Sequence, residues 1–150
     1  MNQHMWTTCT CCTMAGCQDS RCALVLPSST QNFTCISGRM YQANHGVNQK
    51  LCDCIILWSV SGGLVLAPVE LKSGGINAKD CVAQLQNGAN LANTFLSRRS
   101  SRLNFAPLLV HRGGMHPIEY RILNNRRVLF RGKSYPIQQA RCGSQLANLI

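Results

Sequence analysis

The sequence predicts an α/β domain with a mixed central sheet flanked by helices. Three features carry the prediction. Two consecutive apolar, β-prone runs at 51–60 and 63–72 are joined by Ser61-Gly62-Gly63. A capped amphipathic helix follows at 77–97. More strand-like segments lie beyond it. The length of 150 residues suits one compact domain, and 45% hydrophobic residues are enough to build a core.

In chain order, residues 1–22 are rich in Thr, Cys, Gln and Met without a period, and read as a Cys-rich irregular segment ahead of a single domain over 23–150. The pieces ALVL (23–26) and FTCI (33–36) are weak strand signals, and RMYQANH (39–45) is long enough for one or two helical turns. LCDCIILWSV, from Leu51, is a run expected of a strand buried on both faces. GLVLAPVELK (63–72) is the next strand, with Pro68 predicting a bulge or an irregular ladder. Asn77 caps the long helix with Asp80 three positions on, and residues 78, 82, 85, 89, 92 and 96 form its apolar stripe. FAPLLVHR (105–112) reads as a strand, 118–123 and 127–132 as a hairpin around Asn124-Asn125, and roughly 137–149 as a closing helix.

Charge is the strongest global signal: 15 Lys and Arg against five Asp and Glu give +10. Ten of those cations and one acid, Glu119, fall between Arg98 and Arg141. That third of the chain is a candidate polyanion-facing surface, with nucleic acid favoured over anionic lipid. No run of about 18 apolar residues spans a membrane, and no secretory signal is read at the N-terminus. The ten cysteines are then expected to be reduced thiols in a cytoplasm, with Cys52 and Cys54 as small buried hydrophobes.

A basic chain that keeps five carboxylates directs attention to where they sit. Asp53 lies in the first apolar strand; Glu70 and Lys72 end the second and, two apart, share a face. A two-residue turn at Ser61-Gly62 places Asp53 opposite Glu70, and one at Gly62-Gly63 places it opposite Lys72. A three-residue loop turns Asp53 to the other face unless a bulge corrects it. Neighbouring carboxylates repel unless a cation lies between them, so Asp53, Glu70 and the backbone carbonyl of Leu71 are expected to hold Mg²⁺ or Mn²⁺, beside Lys72.

LCDCIIL…GLVLAPVELKSGG resembles the PD-(D/E)xK nuclease superfamily, which has an acid in one strand and acid-x-Lys at the end of the next. The resemblance covers about 47–112. It implies a restriction-endonuclease-like core and a divalent-metal-dependent nuclease acting on DNA more readily than RNA, with Asp53, Glu70 and Lys72 in the metal and catalytic roles. Gln84 and Gln86, on the following helix, are its candidates for a polar residue facing the site. Gln86 is followed at the Gln-x3-Tyr spacing by Asn90, so an endonuclease or resolvase is favoured over an exonuclease. A homodimer, with one site per strand cut, and a larger nuclease assembly are both compatible partner states, as is a toxin-like or defence nuclease that needs a partner chain. The contrasting reading is a non-catalytic, basic nucleic-acid-binding protein with a degenerate nuclease core and a metal-binding Cys-rich N-terminus.

Arg98, Arg99, Arg102, Arg126, Arg127 and Arg131 are the expected phosphate contacts. Cys9, Cys12, Cys17 and Cys22 have the residue type for Zn²⁺ or an iron–sulfur cluster, but their spacing favours unligated thiols. His45 reads as a turn histidine rather than a ligand. His111 and His116, flanking Gly113-Gly114, read as strand-end or phosphate-facing groups. Tyr41, Tyr120 and Tyr135 read as packing residues more than base-stacking ones.

Overall fold

The two apolar runs form β5 (Cys54–Val60) and β6 (Gly63–Lys72), an antiparallel pair closed by Ser61-Gly62. Gly62 has φ 89°, a conformation glycine adopts without a Cβ penalty. The computed structural model describes residues 12–13, 17–19, 21–27, 33–96 and 102–150. Preceding β5 are β1 (Cys12–Thr13), β2 (Cys17–Asp19), β3 (Cys22–Leu24), β4 (Phe33–Ser37) and α1 (Gly38–His45). After β6 come α2 (Ala78–Phe95), β7 (Leu103–Phe105), β8 (Leu108–His111) and α3 (Pro117–Asn125). The chain then forms β9 (Arg127–Phe130), β10 (Lys133–Pro136), β11 (Gln138–Arg141) and a 3-10 turn at Leu146–Asn148.

The main sheet has the order β1-β4-β5-β6-β8-β11, with β7 also on β6. The β1, β4, β5 and β6 pairings are antiparallel, and β7, β8 and β11 add in parallel, so the sheet is mixed. Its faces are sorted by strand parity. Ile55, Leu57, Leu66 and Leu109 pack under α2 through Leu85, Ala89 and Ala92. Cys54, Ile56, Ala67, Val69, Leu71, Leu108 and Val110 face the other way, covered by Cys17, Cys22, Leu24 and Leu146. The described part of the N-terminal segment is therefore packed onto the sheet.

Three expectations change. The β5–β6 register runs without interruption through Pro68↔Ile55, so there is no bulge. Leu64 N–H donates to Arg102 and the Leu66 carbonyl accepts from Ala106, which shows that even-numbered residues of β6 bond toward β7 and β8. Pro68 lacks its N–H on that side, opposite the Ala106-Pro107 junction where β7 hands over to β8. Residues 118–123 are helical, not a hairpin strand. Pro117 starts α3, the His116 side chain accepts from Ile118 N–H, and Glu119 occupies the first turn. The hairpin is β9–β10, turning at Arg131-Gly132. The expected closing helix gives way to β11, which takes the free edge of β8, followed by only a short 3-10 turn.

Two disulfides also replace expected thiols. Cys17 bonds Cys54, and Cys22 bonds Cys142. Cys54 is thus a cross-link and not a small hydrophobe, and the reduced-thiol expectation fails for these four. Among the described residues no helix is long and apolar enough to cross a membrane.

Candidate active site

Asp53 sits one position before β5, where the Cys54↔Val69 pairing carried one step further sets it opposite Glu70. Its Oδ2 accepts the Leu71 N–H at 2.7 Å, and its carbonyl accepts Gly38 N–H at 2.9 Å. The carboxylate is therefore held against the end of β6, and the backbone that carries it against the start of α1. A strand residue's N–H and C=O point toward the same neighbouring strand, so the Leu71 carbonyl also faces Asp53. Leu71's own side chain enters the opposite core, leaving Glu70 and Lys72 on the α2 face.

Glu70 is 1% exposed, and Lys72 Nζ lies 2.7 Å from its Oε1. Beyond that ion pair, neither carboxylate oxygen has a hydrogen bond of good geometry. Burial pushes the Glu70 carboxyl up to about 7, and the Asp53 charge pushes the same way. The hydrogen bond and charge of Lys72 oppose both, with a smaller pull from the Asp53 backbone N–H. For Lys72, burial by itself would depress the ammonium, but the hydrogen bond and charge of Glu70 outweigh it and hold the group above its ordinary value. Two thiols wall the site. Burial, then the Glu70 charge, drives Cys52 far up; burial, only partly offset by Lys72, pushes Cys81 up to about 12. Without a metal both favour the thiol form near neutrality.

Among the described residues no cluster of three or more His, Cys, Asp or Glu side chains is placed to hold a metal. The register brings the Asp53 and Glu70 carboxylates to one face, with the Leu71 carbonyl directed toward the Asp53 side. A buried carboxylate whose charge is met by a single ammonium, beside a second carboxylate, is what a hard divalent cation satisfies, and Mg²⁺ needs few protein ligands because it keeps several waters. Asp53, Glu70 and Leu71 therefore fit Mg²⁺ or Mn²⁺.

The two glutamines divide. Gln84 Nε2 donates to the Leu51 carbonyl at 3.3 Å, over the segment leading to Asp53. Gln86 is drawn away: its Oε1 accepts Leu129 N–H at 2.8 Å and its Nε2 donates to the Leu129 carbonyl at 2.9 Å. It acts as a strand partner for β9, a role only the fold could disclose.

The predicted phosphate contacts also scatter. Arg98 and Arg99 lie outside the described residues. Arg102 stands beside Gly62 and Gly63, at the opposite end of β6 from Glu70. Arg131 donates to Asn93 Oδ1 and to the Leu96 carbonyl at the C-terminal end of α2, and its guanidinium lies over Phe130. Arg126 and Arg127 are exposed at the α3–β9 junction. Cys9, Cys12, Cys17 and Cys22 were expected as unligated thiols, with Zn²⁺ or an iron–sulfur cluster the disfavoured alternative. Of these four, Cys17 and Cys22 are in disulfides, Cys12 lies in β1, and Cys9 is outside the described residues. His45 is exposed and stacks on Tyr41. His116 is a helix cap, and His111 Nδ1 accepts Gly113 N–H at 3.0 Å. Both accept a backbone N–H through Nδ1, and His111 ends β8, as the strand-end reading expected.

Set beside known proteins, the chain matches no family model, no curated protein and no solved structure.

Proposed function

We propose that this chain is a divalent-metal-dependent nuclease of the PD-(D/E)xK type, hydrolysing phosphodiester bonds of DNA as an endonuclease or resolvase, with a restriction-endonuclease-like core. The observation that carries the reading is the meeting of Asp53, Glu70 and Lys72 on one face of two adjacent strands, with Glu70 desolvated and short of hydrogen bonds. A buried carboxylate with a raised pKa next to a second acid and a cation is a pattern concentrated at active sites.

Asp53, Glu70 and the Leu71 carbonyl would hold Mg²⁺ or Mn²⁺, which supplies positive charge to the scissile phosphate and lowers the pKa of water. A divalent ion there would favour the ionised form of Glu70, because its charge outweighs the repulsion from Asp53. Lys72, paired with Glu70 in this structure, would present its ammonium to the phosphate and offset charge developing on the phosphoryl oxygens. Gln84, on the helix above, orients the segment that carries Asp53. The net charge of +10 draws the polyanion in. A homodimer would place one such site on each DNA strand. The cytoplasmic setting expected from the sequence sits poorly with two disulfides, and comparing reduced and non-reduced protein on a gel decides it.

The test is plasmid degradation. Wild type is expected to nick or linearise DNA with Mg²⁺ and to stop with EDTA. Lys72→Ala should bind DNA and leave it intact. Binding without cleavage by the wild type would instead support the non-catalytic reading.

A further inference from the structure

The row of residues that begins at Lys72 does not stop there. β6, β8 and β11 are parallel neighbours, and their last residues are in register: Lys72 pairs with His111, and His111 with Arg141. Register partners in a parallel sheet project to the same face, so Arg141 stands on the Glu70–Lys72 side, two strands along. At about 4.8 Å per strand, its backbone is roughly 10 Å from that of Lys72.

Arg141 is exposed yet positioned. Its Nη1 donates to the Arg112 carbonyl at 2.6 Å, and its guanidinium lies so close over Gly113 that a Cβ there would collide with it. His111, buried at 8% exposure, holds that loop by accepting the Gly113 N–H. Burial lowers the His111 pKa despite Gln139, and the Arg141 charge adds to the depression, so the standing cations of the row are Lys72 and Arg141. Among the described residues Arg141 makes no ion pair, while the neighbouring acids are committed. Glu70 pairs with Lys72, Asp53 accepts from Leu71, and Glu119 accepts the Ala78 N–H. A guanidinium held by one hydrogen bond to a carbonyl keeps other N–H donors for a planar or tetrahedral anion.

We propose that Arg141 is a positioning residue that grips a backbone phosphate next to the scissile one, so that the strand lies along the ends of β6, β8 and β11. The proposal rests on the nuclease reading for the identity of the scissile bond, but Arg141's contact with a polynucleotide stands apart from cleavage. The substrate class it implies is a chain of several nucleotides, with no base preference, since a phosphate contact carries no sequence information.

The experiment measures binding of a labelled DNA duplex in EDTA across a salt series, for wild type, Arg141→Gln, Arg141→Lys and, as a control at the opposite end of the sheet, Arg102→Gln. Arg141→Gln is expected to weaken binding roughly tenfold and to reduce the log–log salt slope by about one. Arg141→Lys should restore the slope but only part of the affinity, because an ammonium keeps the charge and loses the fork. In Mg²⁺, the KM for cleavage should rise more than kcat falls, and the penalty should shrink as the substrate is shortened to a dinucleotide. Equal losses at Arg141 and Arg102, or no loss at Arg141, would overturn the assignment. If Arg141→Gln weakens binding as expected but no variant cleaves DNA, the nuclease reading falls and this one stands. If wild type cleaves and Arg141→Gln binds normally, this one falls alone.

Discussion

The two ends of β6 are made from the same strand and differ in nearly everything else. At the hairpin end, Trp58, Gly62, Gly63, Leu103 and Arg102 surround an open cleft of about 420 Å³ with no acid in its lining. At the other end, roughly 20 Å away along the strand, Asp53, Glu70 and Lys72 are packed against α2. The cleft offers space without chemistry. The carboxylate end offers two acids and an ammonium in a desolvated corner, where a charge is costly. Void volume and reactivity are separate properties here, and the buried, incompletely satisfied Glu70 is the better guide.

The sharpest way to break this comparison is to remove the chemistry at one end. Lys72→Ala, Asp53→Asn or Glu70→Gln should each lower the cleavage rate by about 10² to 10⁴, read in a plasmid assay, while DNA binding persists. The next effect is on stability. The disulfides tie down the chemical end: Cys54 follows Asp53, and Cys142 Sγ lies 3.9 Å from the Lys72 carbonyl. The Cys22–Cys142 bridge spans 120 residues, so reducing it, or Cys142→Ser, should cost roughly 4 to 5 kcal/mol in thermal or denaturant unfolding. Hydrogen exchange should then rise first at 70–72 and 108–111, before the β5–β6 turn.

A third effect is pH-dependent. The folded carboxyl of Glu70 titrates at about 7 against 4.5 for the ordinary group, so the folded state holds this proton more tightly. Stability from this group is full below about pH 4.5, falls as pH rises toward 7 and levels off above it. Melting of metal-free protein between pH 4.5 and 7 should show that decline, and Glu70→Gln should flatten it. Smaller again is Gly88→Ala, whose Cβ would run into Cys52 Sγ beneath α2; a loss of about 1 to 3 kcal/mol is expected, measured by denaturant unfolding. Arg102→Ala, at the hairpin end, should stay within about 0.5 kcal/mol of wild type.

Much of this contrast was legible in the residues. Strand parity and the glycine turn were enough to bring Asp53, Glu70 and Lys72 to one face, because Ser61-Gly62 closes a two-residue hairpin and β6 runs unbroken. Asn77 also announces α2, its side chain accepting Asp80 N–H. What sequence could not reveal depends on distant partners. Cysteine spacing does not specify pairing, so Cys17–Cys54 and Cys22–Cys142 were hidden. In IEYRIL, an apparent period of two concealed a helix that Pro117 and the His116 cap begin. Gln86 looked like a site residue because helix position alone cannot show that β9 comes to meet it.

The most direct test is titration of the protein with Mn²⁺, following the free ion by its EPR signal. The account predicts one tight ion per chain in the wild type, lost in both Asp53→Asn and Glu70→Gln. Mn²⁺ bound equally well by all three proteins, or by none of them, would contradict it.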